Sequence, residues 1–224
     1  MRPFLVTIPV GCLLACLGGV MWVQAKARAA MPYSNSVDIV TNQPRHLITA
    51  QMITETEAKY NDLEPTFFVK DVDGKLVTVG SHHADKPQFV YFVLDGCPCS
   101  FDAEPLFHDL YKQFKGSIDF VSITNGTHEK ARLWNAELSV PYPVIPDPTE
   151  QIIHAYGAKA AVYSVLVSKD GHIAKMWPGY SKGLLLEMNS LMSKIAGVPE
   201  KPFDTKYAPT TKATGCAFSR SDFK

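Results

Sequence analysis

The chain has 224 residues, of which 46% are hydrophobic, and its 22 Lys and Arg residues are balanced by 22 Asp and Glu residues. This length suits one globular domain with appendages, and the balanced charge excludes a general attraction to nucleic acid or to an anionic membrane surface. The cysteines fall in three separate parts of the chain, which excludes the disulfide framework of a small secreted domain. They are Cys12, Cys16, Cys97, Cys99 and Cys216.

The first predicted element is a hydrophobic helix, because residues 3–23 carry no charged side chain. A membrane-spanning helix needs about 20 residues, whereas the apolar part of a cleaved signal peptide commonly has about 7–15. We therefore predict that residues 1–29 form an uncleaved signal-anchor and that the following domain lies outside the cytoplasm, in the periplasm or at the cell surface. The alternatives are signal cleavage near residues 25–30, which would release a secreted domain, and lipidation of Cys16.

Residues 30–62 are polar and contain two prolines, which is typical of a linker. Regular patterns begin at Leu63, and the predicted globular domain covers residues 63–197. Its first two strands, residues 66–69 and 76–79, flank a turn that contains Gly74, which predicts a β-hairpin. Residues 89–94 are continuously apolar, as expected of a central strand that is covered on both faces.

Strands and helices then alternate along the chain, which predicts an α/β domain with a central mixed β-sheet flanked by helices. The remaining predicted elements are a helix over 103–114, a strand over 118–124, helices over 128–138 and 149–156, strands over 162–168 and 172–177, and a last helix capped by Ser181. Residues 198–224 are predicted to be an irregular tail apart from the short apolar stretch around Cys216.

The cysteine segment follows the central strand and reads Asp95-Gly96-Cys97-Pro98-Cys99-Ser100, with Pro105 inside the next helix. Together with Lys169-Asp170-Gly171 and Trp177-Pro178-Gly179, this order of motifs resembles the redoxin branch of the thioredoxin-like superfamily. That branch includes the AhpC/TSA, or peroxiredoxin-like, domains and membrane-tethered thiol–disulfide oxidoreductases. The resemblance implies a thioredoxin-like fold, an antioxidant or thiol-exchange enzyme without a bound cofactor, a disulfide or peroxide substrate and a thiol reductant as partner.

Cys97 is predicted to be the attacking thiol, because the N-terminus of a helix favours the thiolate form. It also stands eight residues before Pro105, as the attacking cysteine does in thioredoxins. Ser100 then occupies the place of the usual resolving cysteine. Either Cys99, through a small and strained ring, or Cys216, from the C-terminal tail as in some peroxiredoxins, is predicted to resolve the adduct.

The resemblance also implies that Pro98, Ser100, Val162 and Tyr163 contact the substrate. Family members usually carry a cis-proline where this chain has Val162-Tyr163, and a non-proline cis bond costs about 2.5–4 kcal/mol, so a trans bond is expected. Peroxiredoxins place a hydroxyl residue three positions before the attacking thiol. Leu94 stands there in this chain, which weakens the prediction of peroxidase activity.

Two other functions are compatible with the pattern. Paired thiolates are soft ligands suited to Cu(I), but the histidine that copper-delivery relatives carry near the later hairpin is missing, so no metal ligand is assigned. The fold could also serve as a catalytically silent binding module. Asp95, Asp102 and Glu104 are interpreted as capping and solvating the helix start rather than relaying protons, and His82-His83 as a surface pair rather than metal ligands.

Overall fold

A computed structural model of the chain describes residues 46–80 and 85–218. The predictions made for residues 1–29 and for the pair at 82–83 lie outside these residues. Within the described ranges, no helix is both long and apolar enough to cross a membrane. The predicted membrane segment, residues 3–23, is not among them.

The described residues contain nine strands and five helices. The strands are β1 His46–Leu47, β2 Phe67–Lys70, β3 Leu76–Val79, β4 Gln88–Val93, β5 Asp119–Thr124, β6 Val144–Pro146, β7 Ser164–Val167, β8 Ile173–Trp177 and β9 Ala213–Thr214. The helices are α1 Ala50–Glu57, α2 Pro98–Phe114, α3 His128–Leu138, α4 Gln151–Tyr156 and α5 Lys182–Ala196.

A mixed five-stranded sheet in the order β6-β5-β4-β7-β8 forms the centre of the domain. Strand β4 pairs parallel with β5 and antiparallel with β7, so it lies in the middle. Its residues Phe89–Val93 are at most 1% exposed, because helix α2 packs on one face through Phe107 and helix α4 on the other through Tyr156. The predicted central strand and the predicted α/β architecture with flanking helices are confirmed.

Local sequence signals explain the element boundaries. Ser181 accepts a hydrogen bond from the backbone N–H of Leu184 through its Oγ and begins α5 as predicted. Gly197 ends the same helix in the left-handed conformation, at φ 67°. Helix α2 begins at Pro98, five residues before the predicted apolar repeat, because proline is well suited to the first turn of a helix.

Two small sheets extend the domain. Strands β2 and β3 form the predicted hairpin, in which Asp71 Oδ1 accepts hydrogen bonds from the backbone N–H groups of Asp73 and Lys75. Strands β1 and β9 pair antiparallel, with His46 opposite Thr214. The sequence predicted neither β1 nor β9, and helix α1 also lies within the segment predicted as a linker. The start and the end of the described chain therefore meet on one side of the domain.

Candidate redox site

Cys97 lies where the central strand turns into the longest helix. Its backbone N–H donates to the carbonyl of Leu94 at 3.1 Å, and the preceding Gly96 adopts φ 72°, so the chain reverses sharply between β4 and α2. Cys97 is the N-cap residue of α2, with Pro98 at the first helical position. The thiol is therefore held next to the free N–H groups and the positive dipole end of a 17-residue helix.

The C-terminal tail brings Cys216 onto Cys97. The two Sγ atoms are 3.1 Å apart, and the backbone N–H of Cys216 points to Cys97 Sγ at an N···S distance of 3.4 Å. Both cysteines are free thiols in this structure. The structure thus places two of the three predicted catalytic cysteines in direct contact, across a separation of 119 residues in sequence.

A short antiparallel ladder holds the tail in this position. The N–H of Ala161 donates to the carbonyl of Cys216 at 2.9 Å, and the N–H of Gly215 donates to the carbonyl of Ala161 at 2.9 Å. One step along, the N–H of Phe218 donates to the carbonyl of Lys159 at 3.1 Å. The ladder runs along the segment that leads into β7, so the tail lies over the side of the domain from which Cys97 would otherwise be reached.

The surroundings of Cys97 favour its thiolate. The S–H group of Cys99 contributes most to lowering the pKa of Cys97 from 9.0 to about 4, burial opposes the shift, and the backbone N–H and thiol of Cys216 and the N–H of Ser100 add to it. The hydrogen bond that Cys99 gives to Cys97, together with burial and the negative charge of Cys97, raises the pKa of Cys99. Cys97 is therefore the thiolate and Cys99 the protonated thiol at neutral pH.

The three sulfur atoms differ in exposure. Cys97 and Cys99 are only 1% and 3% exposed, whereas Cys216 is half-buried. An incoming reagent therefore meets Cys216 before it meets Cys97, and Cys97 becomes accessible only when the tail moves. The predicted attacking thiol and the segment that covers it therefore belong to different parts of the chain.

The predicted substrate-contacting residues surround Cys97, but most of them are covered. Ser100 is fully buried, and its Oγ accepts a hydrogen bond from the N–H of Leu94, which fastens α2 to the end of β4. Val162 and Tyr163 are at most 1% exposed. Pro98 is partly exposed. In this arrangement the tail, rather than an external molecule, contacts the segment that ends in Val162 and Tyr163.

Val162 has an unusual backbone conformation, with φ 67°. Left-handed geometry is strained for a β-branched residue. Two hydrogen bonds to β4 hold it, from the N–H of Val162 to the carbonyl of Phe92 at 2.8 Å and from the N–H of Phe92 to the carbonyl of Tyr163 at 2.9 Å. No described peptide bond is cis, as expected for a site without the family's proline.

His46 was not predicted as a site residue, yet its Nε2 lies 3.5 Å from Cys216 Sγ. Strand β1 places it there by pairing with β9, two residues before Cys216. No local signal in the sequence marks this histidine, because it lies in a polar segment 170 residues away from Cys216. Only the pairing of the two chain ends reveals the contact.

The acidic residues near the cysteines have separate roles. Asp95 forms an ion pair with Lys130, and its backbone N–H donates to Asn125 Oδ1 at 2.9 Å. Glu104 is fully buried and accepts a hydrogen bond from the Tyr142 hydroxyl at 2.7 Å. The interpretation of Glu104 as a capping and solvating group is therefore wrong, because helix α2 turns this side chain into the core instead of into water.

Two further features lie away from this chemistry. A cavity of about 460 Å³ opens at the opposite end of the sheet, where Gln88 and Asp119 begin β4 and β5. Among residues 46–80 and 85–218, no group of three or more His, Cys, Asp or Glu side chains is arranged to hold a metal ion.

The profile of the AhpC/TSA family matches residues 61–176. No curated relative matches the chain significantly. Among solved structures, an uncharacterized conserved protein from Geobacillus kaustophilus has a TM-score of 0.56 at 17% identity, with 72% of this chain and 93% of that chain covered.

Two further solved structures have descriptions that mention redox proteins. A thiol:disulfide interchange protein of the thioredoxin family from Chlorobium tepidum TLS has a TM-score of 0.52 at 20% identity, with 61% of this chain and 97% of that chain covered. The peroxidoxin BcpB from Mycobacterium tuberculosis also has a TM-score of 0.52, at 16% identity, and the match covers 63% of this chain and 98% of that chain. At these identities the likeness shows the fold, which is thioredoxin-like as predicted.

Proposed function

The chain belongs to the AhpC/TSA family, and from that premise we propose that it is a thiol–disulfide oxidoreductase in which Cys97 attacks and Cys216 resolves. At the level of the family, membership supports a thiol-dependent oxidoreductase that acts on disulfides or peroxides. The observation that carries the finer assignment is the 3.1 Å distance between the Sγ atoms of Cys97 and Cys216. A movement of about 1 Å would bring them to the S–S bond length of about 2.05 Å.

The proposed reaction reduces a substrate disulfide in two steps. The Cys97 thiolate attacks one substrate sulfur, forms a mixed disulfide and displaces the other substrate sulfur as a thiolate. The Cys216 sulfur then attacks the Cys97 sulfur, so that a Cys97–Cys216 disulfide forms and the second substrate thiolate leaves. The substrate gains two electrons, the enzyme loses two, and the Cys216 proton passes to a released thiolate or to water.

Cys99 has a supporting role in this scheme. Its S–H donates to the Cys97 thiolate and contributes most to the lowered pKa of Cys97. A bridge from Cys97 to Cys99 would close a very small and strained ring, whereas Cys216 approaches from another part of the chain without that constraint. We therefore assign resolution to Cys216 and thiolate stabilisation to Cys99.

Regeneration of the dithiol would begin at the more exposed sulfur. A thiol reductant attacks Cys216, which is half-buried, and displaces Cys97, which is buried. A thiol of low pKa leaves faster in thiol–disulfide exchange, and the pKa of Cys97 is lowered to about 4. A second reductant thiol then releases Cys216 and leaves as the oxidised reductant.

Disulfides fit the site better than peroxides do. The described groups that lower the pKa of Cys97 are thiols and backbone N–H groups, with no arginine among them. Peroxiredoxins recruit an arginine to the attacking thiol, but Arg132 of this chain is exposed on α3. Leu94 supplies no hydroxyl three positions before Cys97. We therefore propose protein or small-molecule disulfides as the substrate class.

We also propose that the domain works outside the cytoplasm, anchored through residues 3–23. The segment carries no charged side chain and is long enough to span a membrane. Disulfide chemistry is also concentrated in oxidising compartments, which lie outside the cytoplasm. An alkaline phosphatase fusion after Ala30 tests the proposal. We expect an active fusion, and an inactive one would contradict the proposed location.

The exchange reaction is tested by insulin reduction with single cysteine variants and by mass mapping of the oxidised chain. We expect Cys97→Ser to abolish the activity and Cys216→Ser to accumulate a mixed disulfide at Cys97. Cys99→Ser should retain turnover, because the serine hydroxyl can still donate to Cys97. Mapping should find a Cys97–Cys216 link. A Cys97–Cys99 link in its place, or full activity of Cys97→Ser, would refute the scheme.

A further inference from the structure

We propose that His46 is a catalytic residue that accepts the proton of the Cys216 thiol when Cys216 attacks the mixed disulfide. The inference rests on the proposed exchange between Cys97 and Cys216. The contact that carries it is between His46 Nε2 and Cys216 Sγ, at 3.5 Å. A cysteine beside a histidine is a common arrangement for activating a thiol nucleophile.

The position of His46 is fixed by backbone pairing. His46 lies opposite Thr214 in the β1–β9 sheet, and the N–H of Ile48 donates to the carbonyl of Lys212 at 3.2 Å. Strand β1, which carries the imidazole, is therefore paired with the tail that carries Cys216. The imidazole stays beside that sulfur if the tail and β1 move together. His46 is also exposed, so a proton taken from Cys216 can pass on to water.

The charge on Cys97 explains why a base is needed only after the first step. In the reduced site, Cys97 holds the negative charge and the Cys216 S–H donates to it. Two thiolates at this distance would repel each other, so Cys216 keeps its proton. Once Cys97 becomes part of a mixed disulfide, its charge is gone and Cys216 must lose its proton to attack.

The step is balanced with His46 as the acceptor. Nε2 takes the proton from Cys216 Sγ, the electron pair of that S–H bond forms the new bond to Cys97 Sγ, and the bond from Cys97 to the substrate sulfur breaks. The substrate sulfur leaves with the bonding electron pair as a thiolate. The imidazolium then returns its proton to that thiolate or to water.

Charged groups on the segments paired with the tail include Lys212, next to β9, and Lys159, which forms an ion pair with Glu55. Strand β9 contributes only Ala213 and Thr214, which are uncharged. Cys216 is the hydrogen-bond partner, Cys97 lies behind it, and Lys212 precedes β9.

The test follows the two releases of thionitrobenzoate when the reduced full chain reacts with an aromatic disulfide reagent in detergent. All proteins carry serine at positions 12, 16 and 99, so that only Cys97 and Cys216 react. The first release reports attack by Cys97, and the second reports resolution by Cys216. We compare His46→Ala and His46→Gln with the control variant His128→Ala. His128 is also an exposed histidine, but it lies at the start of α3.

We expect His46→Ala to slow the second release by about tenfold or more at neutral pH, because an unassisted cysteine is only a few per cent thiolate there. The first release should not change. The remaining rate should rise with pH beyond the point where the parent rate levels off. Added imidazole should restore part of the rate, and His46→Gln, which cannot take a proton, should stay slow.

Different outcomes separate this inference from the function on which it depends. An unchanged second release in His46→Ala, or full restoration by His46→Gln without any effect of imidazole, would overturn the role of His46 alone. If Cys216→Ser still shows the second release, or if Cys97→Ser releases thionitrobenzoate as fast as the parent does, the proposed exchange itself fails.

Discussion

Cys97 and Cys216 face each other from two regions that are built differently. Cys97 belongs to a rigid framework, in which the buried strand β4 turns directly into helix α2 and Cys99 lies within the same turn. Cys216 belongs to a docked tail, held by strands of two residues and by a few backbone hydrogen bonds to the segment around Ala161. The framework supplies the thiolate, and the docked tail supplies its partner and its cover.

Because of this difference, the pKa of Cys97 and the access of a substrate to Cys97 should be changed by different substitutions. The framework is stabilised by core burial along a whole strand and a long helix, which resists local opening. The tail is held by two-residue strands and by the buried side chain of Phe218, and such a short terminal segment opens at a lower free energy. A substrate should therefore gain access by displacing the tail, while the pKa of Cys97 stays largely under the control of α2 and Cys99.

The largest expected effect is on the titration of Cys97. Its pKa lies at about 4 in place of 9.0, so the reduced protein gains stability as the pH rises from about 4 towards 9 and loses it as the pH falls through about 4. Thiolate ultraviolet absorbance gives the pKa, and the denaturant midpoint relative to Cys97→Ser gives the stability. We expect Cys99→Ala to raise the pKa more than Cys216→Ala does. The opposite order would place control of the thiolate in the tail.

The next largest effect should be on the rate at which the Cys97–Cys216 disulfide forms, when a single added methyl group displaces the tail. A Cβ on Gly215 would lie 2.6 Å from the Cβ of Ala161 and 2.8 Å from its carbonyl oxygen. Gly215→Ala should therefore slow formation of the Cys97–Cys216 disulfide by roughly tenfold or more, because a positioned thiol becomes a loose one. Gly183→Ala is the matched control, since nothing lies within 4 Å of its added Cβ. Equal rates of oxidation would show that docking does not govern the reaction.

A smaller effect should separate framework stability from redox chemistry. Tyr142→Phe removes the hydroxyl that donates to the buried Glu104. His108 Nε2 also lies 3.3 Å from Glu104 Oε1, so this oxygen keeps one partner when the tyrosine hydroxyl is removed. An unsatisfied buried acceptor costs about 1–3 kcal/mol, and we therefore expect a loss at the lower end of that range in the free energy of unfolding. The pKa of Cys97 and the oxidation rate should stay the same. Tyr60→Phe, at a side chain that is 69% exposed, serves as the control.

The smallest effect should come from the ion pair between Lys130 and Asp95. The two side chains are 59% and 33% exposed, and an exposed pair contributes at most about 1 kcal/mol. Lys130→Ala should lower the free energy of unfolding by no more than that, and added salt should shrink the difference. A larger loss that is insensitive to salt would mean that the loop after β4 depends on this contact more than its exposure indicates.

Local patterns in the sequence were enough for the framework. Continuous apolar residues marked β4, Gly96 and Pro98 marked the turn into α2, and the helix start next to Cys97 predicted a reactive thiol. The strand and the turn were predicted correctly because strand burial and turn chemistry act between residues that are close together along the chain. The reactivity of Cys97 stays a prediction. The role of Glu104 was mistaken, because its direction depends on how α2 packs against the loop that carries Tyr142.

Only the tertiary structure shows which side chains from distant parts of the sequence lie near Cys97. Cys216 was left as one of two candidates for resolution, and His46 carried no signal at all. Their positions follow from pairing between β1 and β9 and between Gly215 and Ala161, contacts that join distant parts of the chain. Such pairings leave little trace in local composition or periodicity, since backbone hydrogen bonds depend weakly on side-chain type. The sequence alone identified Cys97 as the candidate attacking thiol, and the folded chain brings Cys216 next to it.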